Sequence, residues 1–134
     1  MRTLQGLLES RWFVPTSTAL ALAVARVIGE RPLCRGHGDL ALADGEKAPR
    51  KILGASLRQT ARQVVYLGAL LVADRVALME RYLTAPSREP DYRVGRGHGT
   101  FCTHLSAYGA SVSSLSESLE KYCRKMLMDK ALIA

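Results

Sequence analysis

The sequence predicts an α+β domain, an antiparallel three-stranded meander flanked by helices. Residues 20–28 carry apolar side chains at helical spacing, residues 39–72 carry β-rich runs parted by turn formers, and residues 113–131 read as an amphipathic helix. Helix, then strands, then helices is the segregated layout of an α+β fold, not the alternation that builds a parallel sheet.

From Ser17 to Arg31, Leu20, Ala23, Val24, Val27 and Ile28 fall on one helical face; Pro15 to Ser17 supplies a start signal and Pro32 a stop. Met1 to Val14 holds Leu4, Leu7, Leu8, Trp12 and Phe13 in no clear period, so residues 1–16 read as an irregular N-terminal segment preceding a family-like region, 17–134, of a single domain. Leu33 to Gly38 reads as a loop. Asp39 to Ala43 alternates briefly, and Asp44-Gly45 followed by Glu46-Lys47-Ala48-Pro49 is a hairpin-type turn. Arg50 to Thr60 and Gln63 to Val72 supply the other two strands. Asp74 stands as N-cap of a helix whose Val76, Leu78, Met79 and Leu83 share a side. Thr84 to Gly99, with Pro86, Pro90, Gly95, Gly97 and Gly99 among alternating charges, reads as an irregular surface loop of a length that usually serves a function. Ser113 to Ala131 closes the chain, with Ser113 or Ser114 placed to cap and Lys121, Arg124, Lys125 and Lys130 toward the negative end of the helix dipole.

The 134 residues provide for one core, and a 48% hydrophobic, 23% charged composition is that of a globular chain. Nineteen Lys and Arg against 12 Asp and Glu give a net charge of +7, which favours an acidic partner, a nucleotide or nucleic acid. The densest basic cluster, Arg88, Arg93 and Arg96, is interleaved with Glu89 and Asp91, which argues against a nucleic-acid surface. Cys34, Cys102 and Cys123 form no CxxC pair and leave an odd thiol in any disulfide scheme, so a reducing, cytoplasmic setting is expected. Thr16 to Ile28 is apolar, but Arg26 interrupts it, Glu30 follows and it is too short to span a bilayer; neither a signal peptide nor a membrane partner is expected. His37, His98, His104, Cys34 and Cys102 lack the short spacings of structural zinc ligands, so no metal site is expected.

Four blocks carry a family likeness: Arg35-Gly36-His37-Gly38-Asp39-Leu40-Ala41-Leu42; Arg50-Lys51-Ile52-Leu53-Gly54-Ala55-Ser56-Leu57-Arg58; Leu67-Gly68-Ala69-Leu70-Leu71-Val72; and Pro86 to His98 followed by Phe101-Cys102-Thr103-His104-Leu105. In order and approximate spacing this resembles the lipoate-protein ligase and octanoyltransferase family, specifically the C-terminal half of a biotin/lipoate ligase-type catalytic domain. The resemblance implies ATP and lipoate or octanoate as ligands, magnesium accompanying ATP, and a lipoyl carrier domain as acceptor. It sets Lys51 against the acyl-adenylate, where a fixed ammonium stabilises the charge that develops as the acyl carbon is attacked. It sets Asp39, Gly54, Arg58 and Gly68 at the substrate-binding surface, Gly54 where backbone packs closely on ligand.

The family's Arg-rich, Gly-rich loop has no counterpart in Met1 to Pro15, and the chain has no Gly-Gly pair. The family's His-Gly-Thr stands here as Leu67-Gly68-Ala69 and its Thr-Asn-Leu as Thr103-His104-Leu105. A second chain supplying the missing half is therefore implied, and an oligomer is expected because a sheet that loses its neighbouring strands exposes an edge. Three readings stay open: a fragment or subunit of an ATP-dependent acyltransferase contributing Lys51; a degenerate, non-catalytic assembly module; and an octanoyltransferase using Cys34 as nucleophile, its thiolate favoured by a nearby Lys51.

Overall fold

The computed structural model describes residues 11–36 and 38–133. Helix α1, Phe13–Ile28, begins four residues before the predicted Ser17. Pro15 sits within its first turn, where the missing N–H has no intrahelical partner to lose, and Thr16 Oγ1 donates to Trp12 O at 2.6 Å. Ser17 is a buried position inside the helix and caps nothing. Gly29, at φ 76°, ends α1 by donating its N–H to Ala25 O at 2.8 Å, ahead of the stop expected from Pro32. The expected irregularity of residues 1–10 lies outside the described residues.

The sheet has four antiparallel strands in sequential order, β1 Leu33–Arg35, β2 Asp39–Asp44, β3 Lys47–Gln59 and β4 Val64–Leu70. The three-stranded meander is thus corrected by one strand taken from the predicted loop Leu33 to Gly38. That strand is invisible locally because all three of its residues are exposed. Its signal is the pairing of Leu33 with Ala41 and of Cys34 with Leu40. The turn before β3 is also tighter than predicted: Asp44 pairs with Lys47, leaving Gly45 at φ 59° and Glu46 to reverse the chain.

Helix α1 and the long helix α4, Val112–Ile133, cover one face of the sheet. Ala21 and Val24 meet Leu40, Leu42, Ile52, Leu53, Leu105 and Leu115 there in the main core. Ser118 Oγ ties the two helices by donating to Ala23 O at 2.7 Å. The start of α4 is capped by Ser111, not by Ser113 or Ser114. Ser111 Oγ accepts from Ser114 N and Ser114 Oγ from Ser111 N, each at 3.0 Å, a reciprocal capping box.

The opposite face carries helix α2, Val76–Tyr82, and the single turn α3, His98–Phe101, around a smaller cluster of Val76, Phe101 and Cys102. Arg75, not Asp74, precedes α2, and no side chain caps it. Asp74 Oδ1 instead lies 3.7 Å from His104 Nε2. Among the described residues no helix is long and apolar enough to cross a membrane.

The ladder between β2 and β3 is irregular. Leu40 pairs with Leu53, but the next β2 residue, Ala41, pairs with Lys51, so β3 advances two residues while β2 advances one. This bulge leaves both Ile52 and Leu53 on the core face. Side chains in a regular strand alternate between faces, so Lys51 and Gly54, three apart, would point oppositely. With the extra residue they share the face that α2 and α3 cover.

Candidate functional site

The bulged segment aims Lys51 at Asp39, the first residue of β2. Lys51 Nζ lies 3.1 Å from Asp39 Oδ1, and the two side chains are 28% and 13% exposed. The other carboxylate oxygen, Oδ2, accepts the hydroxyl of Tyr92 at 2.7 Å. Gly54 completes the arrangement by its lack of a side chain: a Cβ there would stand 3.1 Å from both Lys51 Cε and Nζ. The ammonium thus lies across the backbone of its own strand.

In front of the pair is a pocket of about 560 Å3 between β3, β4, α2 and the loop before α3. Its walls are largely apolar, with Ala69, Leu71, Met79, Leu83 and Phe101, and Lys51, Arg93 and His98 bring the polar character. Cys102 also lines it, in a segment that bridges to Lys51, where Thr103 N donates to Lys51 O at 3.0 Å. Burial pushes the Cys102 thiol above its ordinary value and the nearby Lys51 charge pulls it back in part, so the group stays a neutral thiol near pH 7. Burial first, then its hydrogen bond to the Asp39 carboxylate, raise the Tyr92 phenol far above its ordinary value, so Tyr92 is a proton donor throughout the usual pH range.

Within the predicted surface loop 84–99, residues 84–89 are exposed as expected, and the later part around Arg93 and Arg96 is tied to the sheet. Arg93 is 5% exposed, stacks its guanidinium over the Phe101 ring at 4.8 Å and donates through Nε to Arg96 O at 2.7 Å. Arg96 donates to Arg93 O, Ala48 O, Thr100 O, Pro49 O and Tyr92 O, joining the second half of the loop to the start of β3. Burial of a charged guanidinium is tolerated because the donors find acceptors.

Of the residues singled out in the sequence, Lys51, Asp39 and Gly54 therefore come together, and three others do not join them. Arg58 shares the sheet face of Gly54 but is exposed and four residues further along β3, about 13 Å at the rise of a strand. Gly68 points to the other face, where a Cβ would meet Leu53 Cδ1 at 3.5 Å and Tyr66 Cε1 at 3.6 Å. It opens onto a separate apolar groove of about 650 Å3 between β4, α1 and α4. Cys34 pairs with Leu40 and Leu40 with Leu53, so this row lies on the face covered by α1 and α4, and the Cys34 thiol and the Lys51 ammonium are separated by the sheet. The thiol brought beside Lys51 is Cys102. Tyr92, Arg96 and Cys102 carried no site assignment in the sequence; the one signal was the density of Tyr and Arg between Pro90 and Gly97, which alternating charge made look solvated.

Among the described residues no three His, Cys, Asp or Glu side chains gather as a metal-binding group, and His37 lies outside the described residues. No protein-family model, curated protein or solved structure matches this chain in sequence or fold.

Proposed function

We propose that this chain is a lipoate-protein ligase-like acyltransferase subunit, binding the acyl part of lipoate or octanoate beside Lys51 and relying on a second chain for nucleotide chemistry. The observation that carries it is Lys51, paired with Asp39, in the lining of a pocket with largely apolar walls. A medium-chain acid presents the matching pattern, one anionic head on a hydrocarbon tail. An ammonium has three N–H donors; one is directed at Asp39 Oδ1, and two remain for a substrate oxygen. Asp39 keeps Lys51 oriented, Gly54 leaves it room, and Phe101, Leu71 and Met79 exclude water from the tail.

The described residues do not fit ATP or magnesium. A phosphate cradle needs successive backbone N–H groups, usually from a glycine-rich loop, and the chain has no Gly-Gly pair. No acidic cluster for magnesium gathers among the described residues. Adenylation is therefore assigned to the second chain, and the lysine of a lipoyl carrier domain is the acceptor of the completed assembly.

Calorimetric titration of the chain with octanoate tests this directly. Saturable binding that Lys51→Ala reduces at least tenfold is expected, the scale of one lost charge-assisted contact. Absence of saturable binding to the wild-type chain refutes the proposal. Adding a chain that bears the glycine-rich half, with ATP and a carrier domain, should then give carrier lipoylation that Lys51→Ala abolishes.

A second reading, an assembly module without catalysis, draws on β4. This edge strand reads Val-Val-Tyr-Leu-Gly-Ala-Leu, with no charge, and exposes Val65 by 53% and Leu67 by 70%. Such an edge recruits another strand. It predicts concentration-dependent association that Leu67→Lys disrupts and Lys51→Ala leaves untouched. The Cys34 octanoyltransferase reading receives no support, since Cys34 and Lys51 occupy opposite faces.

A further inference from the structure

The Asp39 carboxylate could meet Lys51 in many orientations, because rotation about the terminal torsion of aspartate is soft. One orientation is selected by a contact from a distant part of the chain, the 2.7 Å hydrogen bond from Tyr92. We infer that Tyr92, held in place by Arg96, is a positioning residue for Lys51, fixing the Asp39 carboxylate so that Oδ1 faces the ammonium. The inference rests on Lys51 being the substrate-facing group of the proposed function.

Tyr92 packs its ring on Phe101, centroids 5.1 Å apart, so its hydroxyl approaches Asp39 from a rigid base. The loop also presses closely on the β1–β2 connection: a Cβ on Gly36, which sits at φ 55°, would stand 3.2 Å from Pro90 Cβ and 3.6 Å from Tyr92 Cε1. That leaves Tyr92 little room to retreat. Arg96 donates to the carbonyl of Tyr92 itself at 2.8 Å and to Pro49 at 2.7 Å, two residues before Lys51. Both acceptors are main-chain oxygens, so the clamp sets backbone against backbone. A guanidinium presents five donors in a rigid fork, and an ammonium at the same place cannot reach so many carbonyls.

Among the described residues, the other charged or titratable groups near Lys51 are Arg93 and His98 from the loop and its short helix, Arg50 and Cys102 from the flanking segments, and Tyr82 from α2. Among the described residues the hydrogen bond to Asp39 Oδ2 comes from Tyr92, which makes it the group that orders the carboxylate.

The test reads Lys51 in the chain alone, with no acyl substrate. Amines are acetylated with a limiting amount of acetic anhydride at fixed pH, and the rate at Lys51 is measured by peptide mass spectrometry against Lys121 and Lys125, which are exposed on α4. Tyr92→Phe keeps the ring on Phe101 and removes the hydroxyl. It should raise the relative rate at Lys51 about two- to fivefold, the full extent to which a partly exposed ion pair holds its ammonium. Arg96→Lys should raise it in the same direction, and the double variant should exceed Tyr92→Phe by little, because the two act in series. A rate at Lys51 unchanged in Tyr92→Phe overturns the inference, as do fully multiplicative effects in the double variant. Should Arg96→Lys unfold, loss of its cooperative circular-dichroism melt shows it, and Tyr92→Phe alone decides. Failure here leaves octanoate binding intact as a reading, and loss of octanoate binding leaves the labelling result standing.

Discussion

Replacing Gly54 with alanine separates the stability of the fold from the fitness of the site. The backbone of Gly54 lies outside the left-handed region, so alanine adopts it without strain, and reduced freedom of the unfolded chain contributes about 0.4–1 kcal/mol in favour of the folded state. Against this, the new methyl group stands 3.1 Å from Lys51 Cε and Nζ and 3.8 Å from Asp39 Oδ1. The methyl is fixed and the lysine head is flexible, so the head moves by a few tenths of an ångström and the 3.1 Å bond to Asp39 lengthens. With partners 28% and 13% exposed, the pair contributes only about 0.2–1 kcal/mol after solvent screening. The two effects nearly cancel, and the melting temperature should move by no more than about 4 °C. Octanoate affinity, which depends on where the ammonium points, should fall roughly tenfold, equivalent to about 1.4 kcal/mol. Circular-dichroism melting and calorimetric titration measure the two quantities on one preparation. Gly68→Ala is the control: its methyl meets Leu53 and Tyr66 at ordinary contact distance on the other face, so it should leave affinity unchanged. A Gly54→Ala protein that melts ten degrees lower, or binds octanoate like wild type, refutes the account of why glycine is there.

Ser111→Ala removes one arm of the capping box and leaves the Ser114 N–H without its acceptor, so it should cost about 1 kcal/mol and lower the melting temperature by about 3 °C. Cys102, Cys123, Tyr66 and Tyr92 all have ionisations raised by burial from ordinary values of 9.0 for the thiols and 10.0 for the phenols. Above those values the unfolded chain releases protons that the folded chain retains. Stability is therefore fully present below about pH 9 and declines as pH rises further. Urea denaturation at pH 8 and pH 10.5 should show the fall, and equal midpoints would contradict it.

The range of each interaction decides whether the sequence reveals it. Helix α1 is legible because Leu20, Val24, Val27 and Ile28 share a face within a few turns. Its start is misplaced because Pro15 reads equally well as a boundary or as a first-turn residue. Lys51, Asp39 and Gly54 stand out by resemblance, and the structure brings those three within one contact shell. Gly68, from the same blocks, and Cys34, just before the first of them, lie on the other face, because facing depends on register, and register is set between strands. The same holds for β1, whose three exposed residues have no periodic signature of their own. Arg96 escapes notice for another reason: its acceptors are main-chain carbonyls at Ala48, Pro49, Tyr92, Arg93 and Thr100, groups that every sequence possesses and none advertises.

The bulge at Lys51 and Ile52 makes the site a matter of counting as much as of chemistry. Which face a strand residue occupies is a parity, and the single extra residue that β3 carries opposite the step from Leu40 to Ala41 is what gives Lys51 the parity of Gly54. Substitutions nearby adjust the pocket by degrees, whereas a ladder that kept Ile52 but ran past it without the bulge would turn the ammonium through the sheet in one step. The pocket walls can therefore vary continuously, while the facing of this lysine depends on the spacing to Gly54 and the bulge together, and redesign of the site must preserve that count before it refines the contacts.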